Sequence, residues 1–306
     1  RAAGPLSPRG ERMRIRATVA AVSGALALSA LVVPAAQADS QGAVNLDRPT
    51  AAERFGTSGA KSTARAAAAA APTISNVTVN AGKNLVFGTT TVRTFTVSVT
   101  ASHPSGIQDA YIDLWHGTDV EYDVDGWLPP NEEYATCTAS SDTTSTCKLT
   151  VTARPGDDGG DGIGFLYANA LAGNWHVSVG VLANSQEVFW DDYSKTHKLQ
   201  RLSKVTVNAA PEPVKKGATI TVTGKLSRAN WETGSYSGLP SGQSVVLQYR
   251  KSGTTNYTNV KGIKTAASGA LKTTVKAASD GYFRFNYAGI TSTAPAVVAG
   301  DFVDVK

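Results

Sequence analysis

Alternation of apolar and polar residues at a period of two is the feature that most limits what this 306-residue chain can fold into. Residues 73–79 read Thr-Ile-Ser-Asn-Val-Thr-Val, and residues 91–99 repeat the pattern. Successive side chains of a strand point to opposite faces, so this alternation predicts half-buried strands. Further strands are predicted at residues 110–115, 133–138, 146–152, 175–182 and 197–202. No stretch of ten or more residues has a helical period, which predicts an all-β protein.

A second series of short strands occupies the last third of the chain, separated by turn sequences such as Ser252-Gly253 and Asp280-Gly281. Seven strands in about 100 residues is typical of an immunoglobulin-like sandwich. We therefore predict two tandem antiparallel Ig-like β-sandwiches, at residues 73–202 and 203–306, with almost no linker between them. The seven strands are predicted at residues 204–208, 219–226, 244–250, 257–263, 270–276, 282–287 and 301–305.

The sequence before residue 73 divides into three segments. Residues 1–12 precede the only methionine, Met13, and are interpreted as upstream sequence read in frame from a misassigned start. Residues 13–38 have the basic start, apolar run and small-x-small ending of a signal peptide, with cleavage expected after Ala38. Residues 39–72 are rich in Ala, Ser, Thr and Gly and predict a disordered spacer. The protein is thus expected to be secreted, without a membrane anchor in its mature form.

Cys137 and Cys147 are the only cysteines, and they flank a turn-rich stretch between two Thr-rich strands. In an exported protein this spacing predicts a disulfide across one hairpin.

The two predicted sandwiches carry opposite net charge. Residues 73–202 contain 7 basic and 15 acidic residues (net −8), and residues 203–306 contain 13 basic and 5 acidic residues (net +8). This split fits separate partners, or domains that attract each other, or two domains that each stay soluble with one sign of charge. Nucleic acid is not expected as a partner, because the basic residues are scattered lysines without a stripe of arginine and aromatic residues. The partner and the oligomeric state stay open.

Residues 121–132 match the spacing of a calcium loop. Glu121, Asp123 and Asp125 alternate, Gly126 allows a bend, and Glu132 occupies the last position. Ca²⁺ takes six to eight oxygen ligands, which such converging acids supply. The flanking segments read as strands, so an EF-hand is excluded. The alternative is an acidic, solvated hairpin tip.

Asp119 is the expected outer ligand if Glu121 does not reach the ion. With Ca²⁺ as the expected cofactor, the affinity would be the weak one of extracellular modules.

Aromatic residues beside the acids suggest a second kind of site. Trp127 lies inside the acidic stretch, and Trp190 and Tyr193 adjoin Asp191 and Asp192. Exposed aromatic rings stack on sugars, so these three could form a carbohydrate platform. The alternative is that Trp127 folds back onto the end of the sandwich.

An enzyme is not predicted. The four histidines lack metal-ligand spacing, and no nucleophile elbow, P-loop or dinucleotide fingerprint occurs. Glu132 and Glu133 are adjacent, so on a strand they point to opposite faces and cannot act together on one glycosidic bond.

Four stretches resemble a family of exported two-domain β-sandwich proteins from high-GC actinobacteria: residues 72–79, 211–225, 280–284 and 300–306. Its members are often given the generic label of calcium-binding or secreted protein. The resemblance covers nearly all of the chain beyond Ala71. It implies the fold and export, and it implies no catalytic residues.

The sequence therefore favours a secreted, non-catalytic β-sandwich protein that binds calcium and has an extracellular or cell-wall ligand. The alternatives are a carbohydrate-binding or adhesion module that uses loop aromatics without metal, and a secreted inhibitor or structural protein.

Overall fold

The structure is a computed structural model that describes residues 46, 48–56, 70–156, 160 and 162–306. The upstream residues 1–12, the signal peptide at 13–38 and its cleavage site lie outside these residues. No helix in the described part of the chain has the length and apolar character needed to cross a membrane.

The regular secondary structure of the described residues is almost entirely β-strand, because the alternating segments pair with one another along the chain. One short helix precedes them, α1 (Ala51–Phe55). The strands are β1 (Thr73–Val79), β2 (Leu85–Phe87), β3 (Arg93–Ser102), β4 (Ile107–Asp119), β5 (Asp123–Leu128), β6 (Thr136–Ala139), β7 (Thr144–Pro155), β8 (Phe165–Leu166), β9 (Gly173–Ala183), β10 (Val188–Arg201), β11 (Ser203–Val205), β12 (Asn208–Ala210), β13 (Thr219–Asn230), β14 (Ser235–Gly238), β15 (Ser244–Lys251), β16 (Thr258–Lys264), β17 (Ala270–Lys276), β18 (Gly281–Tyr287), β19 (Ala296–Val297) and β20 (Asp301–Val303).

The first sandwich packs two sheets of the described chain against each other. One has the order β1-β3-β7-β6 with β8 on β7, and the other has the order β2-β10-β9-β4-β5. Their inward side chains, such as Val97, Ile112 and Val179, are fully buried in one hydrophobic core. This core confirms the all-β prediction and the inward face that the alternation indicates.

The second sandwich repeats the arrangement with its own core. Its sheets have the orders β11-β13-β12, with β14 and β17 on β13, and β16-β15-β18-β19, with β20 on β18. Leu247 and Phe285 are fully buried between them. The chain is thus a tandem of Ig-like sandwiches. The pairings are mainly antiparallel as predicted, but β2 runs parallel to β10 and β8 runs parallel to β7.

Only Leu202 separates β10 from β11, so the two sandwiches are joined almost without a linker. Trp231 of the second sandwich is 1% exposed and packs into the core of the first, edge-on to Phe87. Its Nε1 donates to the Gly88 carbonyl at 3.0 Å. The junction is therefore held by an apolar anchor as well as by the chain itself.

The predicted disulfide is confirmed. Cys137 on β6 and Cys147 on β7 are directly paired residues of neighbouring strands, and their sulfur atoms are bonded. Two predicted loops are instead strands: residues 123–128 form β5, and Trp190, Asp191 and Asp192 lie within β10. The acidic side chains that suggested loops find hydrogen-bond donors on the sheet surface.

Residues 46 and 48–56, which we call the covering segment, differ from the predicted disordered spacer. Leu46 is 6% exposed, and Arg48 and Arg54 make ion pairs with the first sandwich. The rest of the predicted spacer before residue 70 lies outside the described residues. The apolar residues of the covering segment do not alternate with polar ones, so no pattern in the sequence predicts its contacts. It is held by two ion pairs and by the burial of Leu46.

Candidate functional site

The covering segment lies across the outer face of the sheet that contains β4, β9 and β10. Its helix α1 is a single turn that begins at Thr50, where a capping box forms with Glu53, and ends at Gly56 in the left-handed conformation. Such a box satisfies the free N–H groups at the start of a helix. None of the residues within α1 is fully buried. The segment is therefore shaped locally by its caps and held by its two arginines.

Arg48 is the main contact between the covering segment and the sheet. Its Nε donates to Asp113 Oδ2 at 3.0 Å and its Nη2 donates to Asp113 Oδ1 at 2.8 Å. The same Nη2 reaches Ser178 Oγ at 2.6 Å and Asp192 Oδ1 at 3.3 Å. The guanidinium carbon also lies 5.5 Å from the centre of the Trp115 ring. A forked pair of this kind is matched to the planar guanidinium of arginine.

Asp113 is fully buried, although it lies on the outer face of β4. Besides Arg48, its Oδ2 accepts hydrogen bonds from the Tyr111 hydroxyl at 3.0 Å and from Trp127 Nε1 at 2.7 Å. A buried carboxylate is stable only when its oxygens are paired in this way. The sheet thus holds a carboxylate that is already oriented by neutral donors and open to one guanidinium.

Burial and charge act in opposite directions on these groups. Burial alone would lower the pKa of Arg48, but its attraction to Asp113 and their hydrogen bonds raise it above its usual value. Burial, followed by the negative charge of Asp113, raises the pKa of Tyr111. Arg48 therefore stays charged and the Tyr111 hydroxyl stays protonated, which preserves both donors to Asp113.

Arg54 makes the second ion pair of the covering segment. Its Nη2 donates to Asp109 Oδ2 at 2.9 Å and to the Glu133 carbonyl. The other oxygen of Asp109 accepts two backbone N–H groups, from Ala110 and Ala135, each at 2.8 Å. Asp109 is 5% exposed. Its carboxylate is therefore positioned by backbone N–H groups of the sandwich as well as by Arg54.

An aromatic floor lies between the two ion pairs. Trp190 stacks on Tyr111 with ring centres 5.3 Å apart and an angle of 14°, and Phe55 of the covering segment meets Trp190 edge-on at 6.1 Å. A Cβ atom at Gly180 would lie 2.5 Å from the Trp190 ring. Gly180 therefore allows the indole to lie flat across the sheet and to receive Phe55.

Two cavities remain beside the covering segment. One, of about 370 Å³, is bordered by Arg48, Glu121, Trp190 and Asp192. The other, of about 570 Å³, is bordered by Arg54, Asp109 and Tyr134. We call the outer face of β4, β9 and β10 under the covering segment, together with these two cavities, the groove. The covering segment does not fill the groove, and acidic and aromatic side chains are among the residues that line the remaining space.

The structure does not gather the residues of the predicted calcium loop around one point. Asp125 Oδ1 pairs with His116 Nδ1 at 2.5 Å, and Asp123 accepts bonds from the backbone and hydroxyl of Thr118. Across the loop, Glu132 accepts bonds from the Thr150 N–H and hydroxyl, at 2.7 and 2.5 Å.

The outer ligand is also engaged. Asp119 Oδ1 accepts the N–H groups of Glu121 and Tyr122, at 2.9 and 3.1 Å. Among the described residues, no group of three or more His, Cys, Asp or Glu side chains is arranged to hold a metal. As placed, these acids do not fit a calcium cage, and calcium binding stays a prediction. Gly126 has a packing role, because a Cβ there would lie 2.9 Å from Trp175.

The three aromatic residues of the predicted carbohydrate platform lie in different environments. Trp127 is 9% exposed and its indole N–H is used by Asp113, so it cannot stack on a sugar in this conformation. Trp190 is half-buried between Tyr111 and Phe55. Tyr193 is 49% exposed, and its hydroxyl accepts the Val120 N–H at 3.2 Å. The platform of three is therefore not assembled.

Sequence reasoning missed Arg48, Arg54, Asp109 and Asp113. A signal was present on β4, where outward positions should alternate with the apolar core. The outward positions of β4 instead combine acids with large aromatic rings: Asp109, Tyr111, Asp113 and Trp115. An outward face of this kind indicates that something covers it.

Comparison with known proteins identifies no family: neither a protein-family model nor a curated protein matches the chain. Among solved structures, red sea bream transglutaminase is similar at 13% identity and a TM-score of 0.26, over 78% of this chain and 31% of that chain. A DUF4785 family protein from Legionella pneumophila is similar at 10% identity and a TM-score of 0.35, over 73% of this chain and 55% of that chain.

The adhesin FdeC of Escherichia coli is similar at 14% identity and a TM-score of 0.30, over 76% of this chain and 66% of that chain. The chain thus spans less than two thirds of the first two of these proteins. Similarities at this level carry no argument about function.

Proposed function

We propose that this is a non-catalytic extracellular binding protein, and that its first sandwich binds an arginine-bearing peptide segment on the outer face of β4, β9 and β10. The observation that carries the proposal is the seat of Arg48. Asp113 is a fully buried carboxylate, and each of its oxygens accepts a hydrogen bond from the Arg48 guanidinium. Its Oδ2 also accepts hydrogen bonds from Tyr111 and Trp127. In this view the covering segment is the bound ligand, supplied by the same chain.

The arrangement supports recognition of arginine over lysine. A lysine ammonium is a single point charge and cannot satisfy both oxygens of Asp113 in the plane that the guanidinium fork occupies. Asp109 adds a second carboxylate that reads Arg54, six residues further along the segment. The groove is thus suited to a peptide with two arginines at a spacing of six.

One prediction and one observation support an extracellular setting. A signal peptide at residues 13–38, as the sequence predicts, would direct export, and the disulfide between Cys137 and Cys147 is typical of oxidising compartments. A non-catalytic role agrees with the lack of catalytic motifs in the sequence, and Asp109, Asp113 and Asp192 are each engaged with an arginine of the covering segment.

The proposal is tested with the full chain carrying Arg48→Ala and Arg54→Ala, which leaves the groove without its own arginines. A synthetic peptide of residues 44–56 is titrated into it by calorimetry. We expect saturable binding, weakened at least roughly tenfold when lysine replaces Arg48 in the peptide, because the fork is lost.

The matched control adds Asp113→Asn to the same chain and should not bind the peptide. The unchanged chain should also fail to bind, since its groove is filled. Equal binding to all three chains, or no binding to any, would overturn the proposal. If the double variant loses its fold by circular dichroism, the single Arg48→Lys chain replaces it.

A further inference from the structure

Two arginines at the junction of the sandwiches differ from those of the groove because they meet no acid. Arg201 is the last residue of β10 and is 6% exposed, and Arg228 lies half-buried on β13. A loop at residues 288–294 closes over them, with the Ser292 carbonyl accepting the Arg201 N–H at 3.1 Å and the Ala294 N–H donating to the Arg201 carbonyl at 3.0 Å.

The side chains of both arginines are only partly satisfied. Arg201 Nε donates to the Ala229 carbonyl at 2.5 Å, and Arg228 Nη1 donates to Thr293 Oγ1 at 2.9 Å. The ion pairs found among the described residues involve neither of them. The carboxylate that acts on Arg201 from farther away belongs to Glu232, and its Oε1 already accepts the Asn169 N–H at 2.8 Å.

The surroundings of the two cations are unfavourable to charge. Burial, followed by repulsion from Arg228, lowers the pKa of Arg201 to about 10. Burial also lowers the pKa of Arg228. The hydroxyl of Tyr287 lies beside Arg228 and Thr293 and is buried; Thr293 is close enough to lower its pKa, but the two make no hydrogen bond of normal geometry. Buried cations and an unpaired hydroxyl are costly unless an acceptor meets them.

We propose that a small oxyanion binds at this junction between Arg201 and Arg228, with the Tyr287 hydroxyl as a further donor. The free guanidinium N–H groups supply the forked geometry that suits phosphate, sulfate or carboxylate oxygens. One such anion would neutralise both cations and accept a hydrogen bond from the Tyr287 hydroxyl. Because Arg201 ends the first sandwich and Arg228 and Tyr287 belong to the second, the anion would also tie the two together. This inference is independent of the peptide groove.

The test is thermal unfolding of the full chain in inorganic phosphate, sulfate, acetate or chloride at matched ionic strength. Oxyanion binding should raise the midpoint by roughly 3 °C at ten times the dissociation constant, relative to chloride. The acetate arm separates a carboxylate ligand from a tetrahedral one. Arg228→Met should abolish the rise, and Lys261→Met, at an exposed lysine of the same sandwich, should retain it.

An equal rise in every anion, or an undiminished rise in Arg228→Met, would overturn the proposal. Calorimetric titration of phosphate into the folded Arg228→Lys chain provides a second readout. Lysine keeps the charge but loses the fork, so phosphate binding should weaken at least roughly tenfold. Unchanged phosphate binding in that variant would also count against the site.

Discussion

Arg48 and Arg201 both carry a guanidinium that is largely removed from water, but the groups that meet the two guanidinium groups are different. The Arg48 side chain is 6% exposed and meets Asp113 and Asp192 on the outer face of a sheet. Arg201 is 6% exposed and meets a backbone carbonyl at the junction of the sandwiches. Burial therefore leaves one cation neutralised and the other without an acidic partner, which shows that burial alone does not describe a charged site.

The two pKa shifts express this difference. For both arginines, burial favours loss of the proton. At Arg48 the attraction of Asp113 outweighs burial and the pKa is raised, whereas repulsion from Arg228 adds to burial at Arg201 and the pKa falls to about 10. The first site has its acidic partner within the chain, and the second makes no ion pair among the described residues.

The largest expected effect is that of removing the acid from the complete site. Asp113→Ala leaves Arg48 buried without its partner, and breaking a buried pair in this way costs about 3–5 kcal/mol. Chemical denaturation at neutral pH measures the loss. Asp142→Ala, at an exposed turn, is the control and should change stability by about 0.5 kcal/mol or less. Similar losses of stability in both variants would show that Asp113 is no more important than an exposed acid, and would argue against a buried ion pair in the groove.

Replacing each arginine by methionine tests the comparison directly. Arg48→Met leaves the Asp113 carboxylate unpaired and should cost about 3 kcal/mol, whereas Arg201→Met removes an unpaired cation and should cost less than half as much, or even stabilise. Both are measured by urea denaturation in a chloride buffer. The comparison fails if Arg201→Met proves the more damaging change.

A smaller effect is expected from the donors that orient Asp113. Trp127→Phe keeps the aromatic ring but removes the N–H bonded to Asp113, and a hydrogen bond to a charged group is worth about 1.5–3 kcal/mol. Trp190→Phe removes a similar bond to the less buried Asp192 and serves as the control, with a loss below about 1 kcal/mol. Denaturation curves that rank the two variants in the opposite order would argue against a preorganised Asp113.

The smallest expected effect concerns calcium. Asp123, Asp125 and Glu132 each already accept hydrogen bonds from separate donors, so Ca²⁺ would have to break those bonds to gather them. We expect the unfolding midpoint to be the same in CaCl₂, MgCl₂ and EDTA. A rise specific to calcium that disappears in Asp125→Ala would instead support the calcium loop.

Local pattern was sufficient for the sheets and the disulfide. Alternation at residues 73–79 and 91–99 predicted β1 and most of β3, because one face of each strand packs on the core. The pairing of Cys137 with Cys147 followed from their spacing across a hairpin. These features depend on residues that are close in the sequence or separated by one turn, so a short stretch of sequence is enough to predict them.

The groove depends on distant partners, and local pattern misled there. Asp123 and Asp125 suggested a loop because their spacing matches that of a calcium loop, yet both lie on β5, where donors from Thr118 and His116 meet their carboxylates. Arg48 lies in a stretch of small and polar residues, and nothing near it points to Asp113, 65 positions away. Such a contact becomes visible only when the strands are placed side by side.

The order in which the chain is made gives the covering segment a particular place in folding. Arg48 is synthesised first, but its partners follow 65 to 144 positions later, on three different strands. Contacts between residues this far apart in the chain form late, because the entropic cost of closing the loop comes before the favourable free energy of the contact. β4, β9 and β10 must be paired in the sheet before the partners of the Arg48 guanidinium lie close together. The earliest-made part of the sandwich is thus the last to reach its native position.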